Sequence, residues 1–278
     1  MSPAPAAGQA PNPFGGLYNL PDPCGYFQAL APLGYRQPDI VAGFLAERGP
    51  AIREARGRHA LRLLDFGCGY GAVGAVLGHR VLMEDIFAHY QGPWQGLAAD
   101  QAFFRARRRA HRSWDIGGLD IADQAVAYAE ACGFLQAGFT ENLVETAPGA
   151  ELLAFYEGCD LVIETGAVYD HVPACYQSLM AASAKRPWLL FGPRGDGNTA
   201  PLWACLEEVG YVIETVSSGY RRYRRYLDPG EQATAEARMR ALGHAVGSYS
   251  QGDWYCNPLV LARPAAEAAA MPIERFFY

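Results

Sequence analysis

Residues 61–72 read Leu-Arg-Leu-Leu-Asp-Phe-Gly-Cys-Gly-Tyr-Gly-Ala. An apolar run ends in Asp65, glycines follow at 67, 69 and 71, and apolar, helix-compatible residues resume with Ala72, Val73, Ala75, Val76 and Leu77. That order predicts a buried strand, a tight turn and a helix start. Glycine supplies the backbone freedom for the turn and lets a ligand approach the main chain closely. The helix N-terminus beyond it offers unpaired N–H groups. The chemistry served is the seating of a nucleotide-type ligand; as a bare connection that binds nothing, three alternating glycines would be an expensive choice.

Two ligands fit such a turn. Gly67, Gly69 and Ala72 satisfy the G-x-G-x-x-G/A spacing of a dinucleotide site. S-adenosylmethionine (SAM) has no pyrophosphate but has a ribose, an adenine and an amino-acid tail to seat. Asp65, two residues before the first glycine, favours SAM, because a carboxylate at a strand end sits well beside a cationic ligand and poorly beside a pyrophosphate. Cys68, inside the turn, reads as a small turn residue.

Ligands of open α/β sheets bind at the carboxyl ends of strands, near the switch in strand order. Asp120 ends a second apolar run, Ile-Gly-Gly-Leu-Asp, just before a helical pattern. Its carboxylate can accept two hydrogen bonds from ribose hydroxyls, and it can also serve as an N-cap. Dinucleotide domains place such an acid roughly 20 residues after the glycines. The intervening stretch 79–114 lengthens that spacing under either reading. Ile121 would lie beside the adenine or in the core. Glu141 and Asn142, at the end of a third strand, could meet the adenine amino group or sit in a solvated turn. A fourth strand ends in Glu164-Thr165-Gly166, and Tyr169, Asp170 and His171 follow. This segment should face the methionine end and the acceptor, with Glu164, Tyr169 and His171 as candidate acid/base groups. His171 reads equally well as a surface residue at a helix start.

The elements that position these residues alternate along the chain. Strands are expected at 61–66, 116–119, near 138–143, at 160–164, at 188–191, from about Tyr211, and at 255–262. Helices follow the glycines and lie at 122–132, after Pro148, and at about 172–184, 200–209 and 230–243. This predicts an α/β, doubly wound, mostly parallel seven-stranded sheet, with the last strands forming an antiparallel, hairpin-like edge. Residues 1–20 read as a disordered lead-in without the basic region and apolar core of a signal peptide. Residues 21–58 read as an N-terminal helical cap and 59–264 as the main domain. Within it, 79–114 form a helical insertion, and 265–278 make a C-terminal tail. Tyr26 and Tyr35 either close over the pocket or pack the cap.

The 278 residues carry a net charge of −6, which argues against a nucleic-acid partner. Half are apolar, enough for a substantial core, and no run is long enough to span a bilayer. Seven dispersed cysteines without C-x-x-C spacing point to reduced thiols in a cytoplasm, and the six histidines show no metal-ligand spacing. Two basic segments, Arg105–Arg112 and Tyr220–Tyr226, interleave or neighbour aromatics. They read as a solvated helix face and a charged edge strand, or as arginines that hold an anionic small substrate. Binding of single-stranded nucleic acid is the lesser reading.

Asp65-Phe66-Gly67-Cys68-Gly69-Tyr70-Gly71 resembles motif I of the class I SAM-dependent methyltransferases, D-x-G-C-G-x-G after an apolar run. From about residue 21 to 262 the chain resembles a bacterial group of stand-alone enzymes of that class. The likeness extends to Asp22–Phe27, Leu33–Tyr35, Leu119–Ala122, Glu141–Leu143 and Glu164–Gly166. It implies a Rossmann-like methyltransferase fold and SAM contacts at Asp65, Gly67, Cys68, Gly69, Gly71, Asp120, Ile121, Asn142, Thr165 and Gly166. The expected activity is methyl transfer to a small molecule, with SAM as cofactor and no membrane partner. Motifs that would name an acceptor, the N/D-P-P-Y/F loop and the double-Glu loop, are missing from the sequence. Two alternatives stay open: a SAM-consuming cyclase of the azetidine-2-carboxylate synthase type, releasing methylthioadenosine, and a non-catalytic SAM-binding protein.

Overall fold

A computed structural model describes residues 14–110, 113–166 and 171–274. The chain begins with α1 (Cys24–Leu30), a 3-10 turn (Ala31–Leu33) and α2 (Gln37–Arg56). β1 (Leu61–Phe66) runs through the glycines into α3 (Ala72–Gly78). Two further helices, α4 (Met83–His89) and α5 (Leu97–Ala106), precede β2 (Trp114–Leu119). Alternation then resumes with α6 (Asp123–Ala131), β3 (Ala137–Phe139), α7 (Ala150–Glu157), β4 (Leu161–Glu164) and α8 (Val172–Ala182). It continues through β5 (Trp188–Phe191), α9 (Ala200–Glu208) and β6 (Tyr211–Thr215). The chain finishes with β7 (Arg221–Arg225), α10 (Pro229–Ala241), α11 (Val246–Tyr249), β8 (Ser250–Gln251), β9 (Trp254–Asn257), β10 (Val260–Pro264) and α12 (Ala265–Ala270).

Seven strands form one sheet in the order β3-β2-β1-β4-β5-β10-β6. β3, β2, β1, β4 and β5 pair in parallel, and β10 is antiparallel to both of its neighbours. This is a doubly wound, mostly parallel, Rossmann-like sheet. Its strand order reverses between β1 and β4, the place where such sheets bind ligands. Phe66 is in register with both Leu119 and Glu164. The carboxyl ends of β1, β2 and β4 therefore lie at one level.

Alternation along β1 builds the two layers. Leu61 and Leu63 join a core cluster with Phe27 of α1 and Val41, Leu45 and Ile52 of α2. Leu64 and Phe66 join the opposite cluster with Leu152, Tyr176, Leu179 and Leu202. The inner sides of α1 and α2 are thus continuous with the main core.

The stretch between α3 and β2 is pinned at its base. His79 and Arg108 form an antiparallel bridge, and the Arg109 amide donates to the Gly78 carbonyl. Inside it, buried Asp100 accepts hydrogen bonds from His89 Nε2, Trp94 Nε1 and Tyr128 Oη at 2.7, 2.8 and 2.8 Å. This satisfied carboxylate ties α4 and α5 to α6.

Two expectations are corrected at the C-terminal end. The strand expected over 255–262 is two strands in different sheets: β9 belongs to a small sheet ordered β7-β9-β8, and β10 to the main sheet. Pro258 lies between them and lacks the N–H that a continuous ladder needs. The antiparallel strand is also internal, between β5 and β6, and β6 forms the edge. At the N-terminal end, residues 1–13 of the expected lead-in lie outside the described residues. Residues 14–20 are held by side-chain and backbone hydrogen bonds described below, so they are part of the packed structure.

Close approach fixes the position of α3. A Cβ on Gly74 would lie 2.4 Å from the Phe134 carbonyl oxygen, whereas a Cβ on Gly78, in the same helix, would meet nothing within 4 Å. Gly74→Ala should destabilise the protein by about 1–3 kcal/mol. Gly78→Ala should be neutral or stabilising by about 0.5–1 kcal/mol. Urea denaturation measures both, and equal midpoints would contradict this packing.

Candidate functional site

Left-handed backbone recurs at every second residue of the glycine turn. Gly67, Gly69 and Gly71 have φ of 73°, 49° and 70°, and positive φ occurs only at glycines among the described residues. Side chains at these positions would be strained. The turn is anchored to β2, since the Gly67 and Cys68 amides both donate to the Leu119 carbonyl. Cys68 is buried, with its sulfur against Gly118, and burial pushes its thiol well above the ordinary range. It packs the turn.

Asp120 is the best-connected residue of the site. One carboxylate oxygen, Oδ2, accepts the Gly69 amide at 2.8 Å and the Tyr18 hydroxyl at 2.8 Å. The other, Oδ1, accepts the Ala122 amide at 2.9 Å. Capping of α6 is supplied from outside by Asn19. Its Oδ1 accepts from the Gln124 and Ala125 amides at 2.8 and 3.3 Å, and its Nδ2 donates to Asp123 at 2.9 Å. The capping role considered for Asp120 thus falls to Asn19, and Asp120 points to the turn.

Asp65, the penultimate residue of β1, is 3% exposed, and its Oδ2 has no hydrogen-bond partner among the described residues. Burial pushes its carboxyl up to about 8, and the nearby charges of Asp120 and Glu164 add to the rise. A buried acceptor with nothing to accept from carries a penalty of about 1–3 kcal/mol, more for a charged group. What Asp65 lacks is a donor, best a cationic one.

Glu164 ends β4, fully buried, and its Oε1 accepts the Gly166 amide at 2.9 Å. Thr165 is half-buried, and Gly166 is exposed with φ of 141°. Ile121 is 53% exposed beside Asp120, an apolar face available to a flat ring. Asn142 is half-buried. Its side chain accepts from the Val144 amide at 3.2 Å, so it organises its own turn. Glu141 likewise accepts the Gly149 amide. His171 is exposed at the N-cap of α8. Tyr169 and Asp170 lie outside the described residues. The structure therefore gathers Asp65, the glycine turn, Asp120 and Glu164 at one end of the sheet, and it leaves His171 on the surface.

Aromatic rings cover this end. Tyr26 contacts Phe14, Tyr18, Phe27 and Tyr70 at ring separations of 6.5, 5.6, 5.4 and 5.2 Å. Tyr35 lies within electrostatic reach of Asp65, Tyr26 and Tyr223. Tyr26 and Tyr35 both pack against the main core cluster. Tyr18 carries no motif, and its only signal in the sequence is the density of aromatics after Pro13, whereas Tyr70 stands at the variable position of the glycine motif.

The basic segment at 221–225 forms β7, and a bulge between Arg222 and Arg224 turns both Tyr223 and Arg224 inward. Arg224 is bound by Glu231 at 2.6 and 3.0 Å, Arg194 by Asp196 at 2.6 and 3.0 Å, and Arg225 by Asp253 at 3.1 Å. These cations already have carboxylate partners. Among the described residues no cluster of His, Cys, Asp or Glu could hold a metal, and no helix is long and apolar enough to cross a membrane.

No protein-family model matches the chain, and no curated protein does. Solved structures with a similar fold include magnesium protoporphyrin IX methyltransferase from Synechocystis with bound SAM, at 15% identity over 80% of each chain and a TM-score of 0.37. A TehB-like SAM-dependent methyltransferase from Corynebacterium glutamicum matches at 14% identity over 76% of this chain and 84% of its own, with a TM-score of 0.38. The cyclase SpnF matches at 16% identity over 77% and 79%, with a TM-score of 0.37. Likeness this distant leaves the function to the residues of the site.

Proposed function

We propose that the protein is a SAM-dependent methyltransferase acting on a small molecule. The observation that carries this reading is the pairing of Asp65 and Asp120 across the glycine turn. SAM presents a ribose diol, an ammonium and a sulfonium, and these are groups that such a pair of carboxylates suits. Asp120 would accept the ribose hydroxyls. The unpartnered Oδ2 of Asp65 would accept from the ammonium of the methionine tail. Exposed Ile121 would lie against the adenine, and the turn at Gly67–Gly71 would let the ligand approach the backbone. A pyrophosphate would meet two buried carboxylates there, and the helix beyond the turn, α3, is only seven residues long.

When bound, SAM supplies an electrophilic methyl group. The chain's own contribution is mainly approximation and exclusion of water. Tyr26 and Tyr35 offer aromatic faces suited to a sulfonium. Glu164, buried and fixed on the Gly166 amide, is the group best placed to hold a proton near the end of β4. His171 and Tyr169 stay candidates for a base, should the acceptor be protonated. Arg224, Arg225 and Arg194 are held by carboxylates, which leaves the substrate's charge open. The closed aromatic cover also favours a second reading, cyclisation of SAM itself with release of methylthioadenosine.

Pure protein incubated with SAM alone separates the two. The methyltransferase reading expects no methylthioadenosine, and S-adenosylhomocysteine once an acceptor is supplied; rapid methylthioadenosine formation would overturn it. Asp120→Ala should weaken SAM binding at least tenfold, as expected for loss of charge-assisted bonds; unchanged affinity by calorimetry would contradict the ribose placement.

The Asp65 carboxyl gives a pH signature. Its folded pKa of about 8 lies above the unfolded value, so between about pH 4 and pH 8 the folded protein holds a proton that the unfolded chain releases. Asp65 therefore lowers stability progressively as pH rises through that window. A cation binds the deprotonated form, so SAM affinity should rise from about pH 6 to pH 8, by at most about tenfold per unit. In Asp65→Asn the rise should flatten and binding should weaken. A pH-independent affinity in the wild type would count against this role.

A further inference from the structure

We propose that Tyr18 is a built-in occupant of the ribose subsite, and that the strap 14–20 lifts away before a nucleoside can bind. This rests on the reading of the site as a SAM pocket.

Three observations place the phenol where a ribose hydroxyl would go. Tyr18 Oη donates to Asp120 Oδ2, on the same oxygen that receives the Gly69 amide. A Cβ on Gly69 would lie 2.9 Å from Tyr18 Oη and 3.2 and 3.3 Å from its ring carbons, so the tyrosine lies on the ligand-facing side of the glycine turn. The second oxygen of Asp120 is engaged by the Ala122 amide. A diol can therefore chelate Asp120 only if Tyr18 gives way. Burial and the Asp120 charge hold the phenol well above its ordinary pKa, so it stays a donor.

The strap is fastened in a way that permits release. None of residues 14–20 is fully buried, so lifting them uncovers no fully buried side chain of their own. Its hold consists of the Asn19 clip on Asp123, Gln124 and Ala125, the Leu20 amide on Tyr70 Oη at 2.9 Å, and the Tyr70 hydroxyl on the Leu17 and Leu20 carbonyls at 3.2 and 2.8 Å. Edge contacts of Phe14 and Tyr18 with Tyr26, the Leu17 side chain against Gly25, and the Tyr18–Asp120 bond itself complete it. Hydrogen bonds that are partly open to water are the ones that break first in local opening. Pro21 bounds the strap on its C-terminal side, and Gly15 and Gly16 lie within it.

Calorimetry and stopped-flow binding of SAM to the full chain test this. In Tyr18→Phe the ring and the packing persist, but the bond to a charged acceptor is lost. The dissociation constant should fall roughly tenfold and association should quicken. Asn19→Ala, which frees the clip, should shift both in the same direction by less. Addition of SAM to the wild type should speed amide exchange at Gln124 and Ala125, which lose Asn19 when the strap lifts. Weaker or unchanged binding in Tyr18→Phe, or unaltered exchange at those amides, would overturn the proposal while leaving the SAM pocket in place. Absence of SAM binding by the wild type and both variants would overturn the pocket reading, and the strap proposal with it.

Discussion

Two carboxylates buried at the ends of neighbouring strands set the terms for the rest of this molecule. Asp65 and Asp120 lie within electrostatic reach of one another in a place that water scarcely enters. Like charges there are expensive unless donors or a cation accompany them. Asp120 is accommodated by two backbone amides and a phenol. Asp65 is accommodated by keeping its proton, and it retains one oxygen with no partner. The glycine turn, the Asn19 cap and the tyrosine cover all arrange themselves around that pair.

The opposite end of the sheet handles charge differently. Arg263 is fully buried at the end of β10, yet it is bound by Glu214 at 2.6 and 2.7 Å and donates to the Met271 carbonyl. Trp188 Nε1 donates to Glu267, which also pairs with Arg56, and Asp160 accepts from Arg58 and the Arg62 amide. These are matched pairs that close the core, and breaking one would leave a buried charge alone. The unmatched carboxylate lies at the carboxyl ends, beside the switch in strand order. That contrast within a single sheet separates an end whose buried charges are matched from an end that keeps one carboxylate oxygen without a partner.

Much of this was legible in the sequence, because the signals were local. β1 at Leu61–Phe66 and β5 at Trp188–Phe191 coincide with their apolar runs, and the left-handed turn follows from Gly67, Gly69 and Gly71. Asp65 and Asp120 could be picked out because each ends an apolar run. Pairings between distant segments were not legible. Nothing near Tyr18 announces that its hydroxyl meets Asp120, 102 residues away. The division of 254–264 into two sheets depends on tertiary partners, β7 on one side and β5 and β6 on the other. Nothing in the sequence around Arg224 and Arg225 announces that Glu231 and Asp253 fold against them.

The central claim is that Asp65 and Asp120 together form the seat of an adenosyl cation. A crystal structure of the protein with S-adenosylhomocysteine, which keeps the ribose and the ammonium, tests it most directly. The account predicts both ribose hydroxyls on the Asp120 carboxylate and the amino group on Asp65 Oδ2. A ligand held elsewhere, or an Asp65 oxygen still without a donor in the complex, would contradict it.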